Sequence, residues 1–246
     1  MKLDFSNQTV LVTGASRGIG AQIAADFSDC GAKLIVTATD ESSEAKIRSR
    51  LGESTQFLAV DFSISESINH FLASIRKIDR IDACVNNAGL SRHRPLEAAT
   101  EEEWDLTNSV NLKAPFLLTQ AVAESMKRNL YGRIVNIASI WSQITIPDRG
   151  VYTATKFGLH GLTISSAAEL SQYNILTNTV SPGFTLTDML KGNYSKEALQ
   201  AIADKIPMKR LAEPEEISKV VLFLSSQLNS YVTGQNILVD GGYSVL

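Results

Sequence analysis

Thr13-Gly14-Ala15-Ser16-Arg17-Gly18-Ile19-Gly20 stands between a short β-branched run, Thr9–Val12, and a stretch with apolar residues at helical spacing, Ile19, Ile23, Ala24 and Phe27. Glycines at such a junction permit a tight turn and let the chain approach a pyrophosphate closely. The N–H groups of the helix start then face the anion. The spacing is G-x-x-x-G-x-G, not the general G-x-G-x-x-G. A helix entry that merely needs glycine has the same look, but a strand before and a helix after, near the N-terminus, favour a nucleotide site. Gly31 is placed to close this helix as its C′ residue.

Working outward, strand-like apolar runs alternate with longer helical patterns. Leu34–Thr37, Gln56–Val60, Ile81–Val85, Arg133–Ala138, Leu176–Val180 and Asn236–Val239 read as strands. Ser109–Lys127 and Tyr152–Leu170 read as long helices. Strands that are apolar without alternation belong in a parallel sheet covered on both faces. The expected fold is α/β: a single Rossmann-like doubly wound domain over residues 1–246, with about seven parallel strands, helices on both faces and right-handed crossovers. No linker, repeat or low-complexity segment interrupts it. Thr185–Leu211, with Gly192 and Pro207, breaks the rhythm and is expected to cover the substrate.

The chain has 246 residues, enough to bury a sizeable core. Its net charge of −3 and pI near 5.7 offer no basic excess for nucleic acid or a membrane surface. Met1–Asn7 carries Lys2 and Asp4 and lacks the apolar core of a signal peptide. No apolar run approaches membrane-spanning length. Cys30 and Cys84 have neither paired nor metal-ligand spacing, and each sits in an apolar stretch as a small core residue. No metal is expected, and a cytoplasmic location fits.

Tyr152 and Lys156 lie one helical turn apart, on one face. A phenol at pKa ~10 is a weak acid for neutral pH. A cation about 4 Å away, at an effective dielectric near 20, favours the phenolate by roughly 4 kcal/mol. That is about three pKa units, which would bring Tyr152 near 7. Alone, the pair is better read as an ordinary helix surface. A lone Ser139 after a strand is usually a cap. Asn111 within an apolar helix needs a partner.

Taken in order, Thr13–Gly20, Asn86-Asn87-Ala88-Gly89, Asn111, Ser139, Tyr152-x-x-x-Lys156, Pro182-Gly183-x-x-x-Thr187 and Asp240-Gly241-Gly242 resemble the short-chain dehydrogenase/reductase family along the whole chain. The resemblance implies a nicotinamide-dependent oxidoreductase acting on a small carbonyl or alcohol. It implies Tyr152 as acid–base, Ser139 donating to the substrate oxygen, and Lys156 on the nicotinamide ribose. Asn111 would lie at a local kink, holding a water that links Lys156 to solvent. For the cofactor it implies Gly14, Ser16, Arg17, Gly18, Ile19 and Gly20 at the pyrophosphate, and Asp61 with Phe62 at the adenine. Asn87, Ala88 and Gly89 would pass a ribose, and Pro182, Gly183, Thr185 and Thr187 the nicotinamide, beside Tyr152 and Lys156.

The acid that marks NAD use after the second strand is absent, since Ala38 takes its place. Arg17 with Thr39 would hold a 2′-phosphate instead, so NADP(H) is expected over NAD(H). Asp40, two positions on, would either repel that phosphate or point to solvent.

Thr37-Ala38-Thr39 and Pro182–Met189 most resemble bacterial 3-oxoacyl-(acyl-carrier-protein) reductases. Lys127 and Arg128 match one basic site for an acidic carrier protein, a candidate partner. At the second, Gln172 and Tyr173 replace the arginine. Trp141, Gln143, Ile144, Phe184 and Met189–Leu190 would line the pocket. Arg92-His93-Arg94 is either a solvated basic loop, the commoner case, or a rim attracting an anionic substrate such as a sugar derivative. Ala114, Phe116, Ala121, Leu159, Ile164, Ala167 and Ala168 would help pair the two long helices in a homotetramer or homodimer. The remaining alternatives are a reductase of a sugar or secondary metabolite, a non-catalytic nucleotide-binding regulator, and a sugar-nucleotide epimerase, for which the segment after Pro182 is short.

Overall fold

The computed structural model describes residues 3–187, 190 and 194–245. Seven strands form one sheet: β1 (Thr9–Val12), β2 (Lys33–Ala38), β3 (Gln56–Ala59), β4 (Ala83–Asn86), β5 (Gly132–Ile137), β6 (Ile175–Pro182) and β7 (Asn236–Val239). Their order is β3-β2-β1-β4-β5-β6-β7, and every pairing is parallel. The order reverses between β1 and β4. In doubly wound sheets the crevice beyond the strand ends at that switch point receives the ligand.

Two apolar layers sandwich the sheet, which is why its strands lack alternation. On one face α1 (Gly18–Asp29) packs against α8 (Pro214–Ser225), burying Ile23, Phe27, Ile217 and Val221 over Val10, Val12 and Val36. On the other, α3 (Ser65–Arg76) packs against α5 (Ala114–Asn129), burying Ile68, Phe71, Leu118 and Val122 over Leu11, Cys84 and Ile134. α6 (Gly150–Leu170) crosses β6 and contacts α4 (Glu101–Asn108) and α5. Short α2 (Glu44–Leu51) covers the β2–β3 connection.

Gly31 follows the C-cap Cys30 at φ +85, where a side chain would meet Ser6 Oγ at 2.8 Å. The expected long helix begins earlier than Ser109. A Thr100–Glu103 capping box starts α4, which continues through a π-helical turn, Ser109–Lys113, into α5. One inserted residue bulges the helix there, and Asn111 lies in the bulge. Of the two cysteines, Cys84 is wholly buried and Cys30 half-buried.

The segment from Thr185 has a small core of its own. Both ends are tied where Thr185 pairs with Ala212. Between them α7 (Lys196–Ala203) and the following turn bury Ala203, Ile206 and Leu211 against Phe184, Leu199 and Tyr243. Arg210 and Glu216 form a double bond pair, at 2.6 and 2.7 Å, from that turn to α8. Asp188, Met189 and Gly192 lie outside the described residues.

Of the helix positions expected at an outer, pairing surface, Ala114, Ala121, Leu159 and Ala167 are instead buried within the chain. Phe116, Ile164 and Ala168 are exposed, as are Trp104 and Phe157 on α4 and α6.

Candidate active site

The β1–α1 turn owes its shape to Gly14 and Gly18, at φ +67 and +57. A Cβ at Gly14 would meet the Ala88 backbone at 3.0 Å, and one at Gly20 the Asn87 amide at 2.2 Å and Gly14 carbonyl oxygen at 2.3 Å. The turn is fastened from beneath. Asn87 donates to the carbonyls of Thr13 and Gly14 at 2.9 and 3.1 Å. Thr13 Oγ1 accepts from the Asn87 and Ala88 amides, each at 3.0 Å. Next to it, Asn86 donates to Asn136 and Asn136 to Thr163, tying β4 to β5 and α6. Gly20→Ala should therefore cost about 2 kcal/mol as an overpacking change, and a melting curve should show a midpoint lower by about 4–8 °C.

Arg17 is the N-cap of α1 but makes no capping bond with its side chain. The first-turn amides are thus left to an external anion. They open onto a cavity of about 570 Å3 along the C-terminal strand ends. Its glycine end includes Gly14, Ser16, Arg17, Gly18, Ile19, Gly20 and Thr39. Asp61, Phe62, Asn87, Ala88 and Gly89 follow, then Pro182, Gly183, Thr185 and Thr187. Asp61 Oδ1 accepts from the Ser63 amide and hydroxyl at 2.8 and 2.6 Å, a turn contact, while Oδ2 has no hydrogen bond among the described residues. Asp40 lies off the cavity and accepts from Ser42 as the cap of the turn Glu41–Ser43. Its carboxylate therefore leaves the space by Arg17 and Thr39 free for an anion. A dinucleotide fits this donor set.

At the other end the cavity reaches Ser139, Tyr152 and Lys156. Ser139 follows the end of β5 as the cap of the Ile140–Ser142 turn, close enough to the Tyr152 phenol to pull on its proton. Lys156 is buried, its Nζ donating to the Ile137 carbonyl at 2.9 Å and lying 5.5 Å from the Tyr152 ring centre. Asn111 stands behind this trio rather than on the cavity wall. Its Oδ1 accepts from the Leu90 amide at 2.9 Å, and its amide donates to the Leu90 carbonyl at 2.9 Å and to Thr155 at 3.2 Å.

The expected drop of Tyr152 toward 7 does not hold. Burial pushes the phenol up to about 12, against the opposing pull of Ser139 and the Arg149 charge. Burial also brings Lys156 down to about 8. Desolvation outweighs mutual attraction because both groups lie deep and the ammonium faces a carbonyl rather than the phenol oxygen.

Trp141, Phe184 and Leu190 line the cavity, whereas Gln143 and Ile144 do not. Trp141, Phe184 and Tyr243 stack edge to face, 5.3–6.4 Å apart. Arg92 and Arg94 turn away from the wall and meet Glu103, at 3.8 and 2.9 Å. Of that triplet only His93 faces the cavity. Among the wall residues that escaped sequence reasoning are Arg149 and Tyr194. Arg149 sits in a Pro147-Asp148-Arg149-Gly150 turn, which signals only a helix entry. Lys127 lies over the Tyr173 ring, 4.9 Å from its centre, so the residue in place of the expected arginine packs beneath the first basic site.

Among the described residues no helix is long and apolar enough to cross a membrane, and none group as a metal site. A family model described as enoyl-(acyl carrier protein) reductase matches residues 14–244. The chain is 37% identical to the 3-oxoacyl-(acyl-carrier-protein) reductase FabG of Vibrio cholerae and 36% identical to that of Escherichia coli, covering 98% of each chain in both comparisons. Among solved structures it superposes on ElxO with NADP bound at a TM-score of 0.90 and 28% identity, covering 97% of this chain and 99% of that one. YwfH, an NADPH-dependent reductase involved in bacilysin biosynthesis, matches at 0.88 and 28%, covering 97% and 98%. With that agreement along nearly its whole length, the chain belongs to the short-chain dehydrogenase/reductase family and is an NAD(P)-dependent oxidoreductase.

Proposed function

We propose that the chain reduces a carbonyl to a secondary alcohol with NADPH, Tyr152 acting as the acid. The observation that carries this reading is the meeting of Ser139, Tyr152 and Lys156 at one end of a cavity whose other end is a glycine cradle. When bound, the reduced nicotinamide supplies the hydride. Ser139 and Tyr152 hold the substrate oxygen, and Tyr152 gives it a proton as negative charge develops there. Lys156 steadies the phenolate that remains and holds the nicotinamide ribose, and Asn111 positions the helix behind them. For the reverse reaction the same groups take the proton back.

Gly14, Ser16, Gly18, Ile19 and Gly20 would hold the pyrophosphate, Arg17 and Thr39 the 2′-phosphate, and Asp61 and Phe62 the adenine. Asn87–Gly89, Pro182, Gly183, Thr185 and Thr187 would complete the nicotinamide half. Two structural relatives named for NADP or NADPH support this cofactor. Arg17→Ala should weaken NADPH binding at least about tenfold, by loss of a charge-assisted contact, with NADH binding little changed in the same fluorescence titration.

The names of the FabG relatives support a 3-oxoacyl thioester as substrate and acyl carrier protein as partner; a part in fatty acid biosynthesis in the cytoplasm is our reading of that substrate. A second reading, a sugar derivative or secondary metabolite, is favoured by one observation: a buried arginine, Arg149, faces the cavity. Residues 1–246 act as one domain, with the 185–211 segment covering the substrate through Leu190 and Tyr194. The exposed apolar side chains of Trp104, Phe116, Phe157 and Ile164 support a homodimer or homotetramer. The deciding experiment follows consumption of NADPH, and separately NADH, with a short 3-oxoacyl thioester. Turnover with NADPH at least about tenfold faster is expected. Tight NADPH binding without turnover would discard the thioester and leave the second reading.

A further inference from the structure

Arg149 caps α6 three residues before Tyr152, and its side chain is only 8% exposed. Its Nε is buried without a hydrogen-bond partner. Among the described residues no carboxylate pairs with its guanidinium. The neighbouring carboxylate, Asp148, precedes it at φ +65, in a turn that accepts from the Arg94 amide. A guanidinium buried without a counter-charge is costly, so such a group persists where something else supplies the anion. The Arg149 charge reaches both cavity groups beside it, acting on the Tyr152 phenol and on the His93 imidazole. His93 is held below its ordinary value by burial first and by Arg149 second. At neutral pH it is an uncharged ring, its Nε2 3.0 Å from Ser91 Oγ. The same cavity is lined by Leu106, Val110, Trp141 and Phe184 among polar residues such as Ser91, Ser139 and Tyr194. A fixed cation without a counter-charge, close to the acid–base tyrosine, is an arrangement for orienting a small substrate by its charge.

We infer that Arg149 binds an oxyanion of the substrate, so that the natural substrate is a small carbonyl compound carrying a carboxylate or phosphate a few bonds from the reacting carbonyl. This rests on the reductase reading above for the reaction and, for the substrate, takes the second of the two readings over the thioester. Arginine suits the role because its planar fork meets a carboxylate or phosphate with two parallel N–H bonds. An unbranched 3-oxoacyl thioester is neutral near its carbonyl and would leave the guanidinium unpaired. The group that attracts the anion thus lies not at Arg92 and Arg94, which Glu103 engages, but deeper, at Arg149.

The test compares twin substrates that share a carbonyl. Acetoacetate is set against its N-acetylcysteamine thioester, and dihydroxyacetone phosphate against dihydroxyacetone, each with NADPH. The two pairs separate carboxylate from phosphate. In the wild-type protein the charged member of at least one pair should have a kcat/KM at least about tenfold higher, and Arg149→Met should collapse that ratio toward one. Arg149→Gln serves if the Met variant does not fold, and Arg92→Ala with Arg94→Ala should keep the ratio. Equal use of both twins by the wild type, or a ratio unchanged in the Arg149 variants, overturns the inference. Calorimetry on the NADPH complex of Tyr152→Phe, with the same compounds, separates it from the reductase reading. Charge-selective binding lost with Arg149, when the wild type itself turns over neither member of either pair, would sustain the anion site and sink the carbonyl-reduction reading. Turnover without charge selectivity would do the reverse.

Discussion

Tyr152→Phe should lower kcat for carbonyl reduction by about three orders of magnitude while NADPH binds as before. A positioned general acid contributes roughly 10²–10⁴-fold, and the substitution removes only the hydroxyl, leaving the ring and its contact with Lys156 in place. Binding and chemistry then separate cleanly. A titration of NADPH fluorescence should superpose on the wild type, whereas single-turnover absorbance should be nearly flat. A variant retaining a tenth of the activity would mean that another group supplies the proton.

The pH profile gives the same conclusion a second measurable edge. Burial holds Tyr152 up to about 12, so the phenol keeps its proton through the neutral range. An acid must be protonated to act. Reduction should therefore proceed at a constant kcat/KM across neutral pH and fall only on the alkaline side. Alcohol oxidation needs the phenolate and should climb as pH rises. A tyrosine tuned near 7 by Lys156 would instead make reduction fall through neutrality, so the profile decides between the two accounts.

That tyrosine also marks where sequence reasoning ends. The one-turn spacing of Tyr152 and Lys156 is a local fact, and so are the glycine turn, the β-branched runs and the capping glycine Gly31. The structure keeps all of them: β1 and β7 fall on the residues expected, and Asn111 lies at the expected helix irregularity. Burial is not local. Nothing in the chain before folding says that Lys156 aims at the Ile137 carbonyl across the sheet edge, or that desolvation outweighs the attraction of the pair. Arg92-His93-Arg94 offered two readings, a solvated basic loop, the commoner one, and an anion rim, and only folding decides between them: Glu103, on a helix started by a Thr100 capping box, engages Arg92 and Arg94. Arg149 carried no pattern at all, because its inward direction is set by the turn at Asp148 and by the helix it caps. α3, α7 and α8 lie in stretches the strand–helix rhythm did not resolve. α3 carries four wholly buried apolar residues among polar ones, a stripe that is visible mainly once its partner α5 is known.

Lys156→Met should make the protein more stable and the enzyme worse. In the folded chain burial lowers Lys156 from 10.5 to about 8. The unfolded chain therefore binds more protons between pH 8 and 10.5, and stability rises with pH across that window. Below about pH 8 both states are protonated and the folded state carries the full penalty, about 3 kcal/mol. Met fills the space without a charge. It also leaves the Ile137 carbonyl without its donor, a loss of roughly 1.5–3 kcal/mol, so the net gain at pH 7 is about 1 kcal/mol. For a chain of this size that raises the unfolding midpoint by about 2–4 °C. The gain should shrink, then reverse, as the pH of the melt is taken from 7 to 10.5, since the wild type sheds its penalty and keeps its hydrogen bond. Activity moves the other way. Lys156 lies 5.5 Å from the centre of the Tyr152 ring, where a cation would steady the departing phenolate and hold the cofactor ribose, so losing it should lower kcat at least about tenfold. Stability and activity oppose each other here for a physical reason. The low dielectric that makes the buried ammonium costly in the resting protein is the medium that lets it stabilise the tyrosinate as the proton leaves, so a chain selected for stability alone would not keep a lysine there.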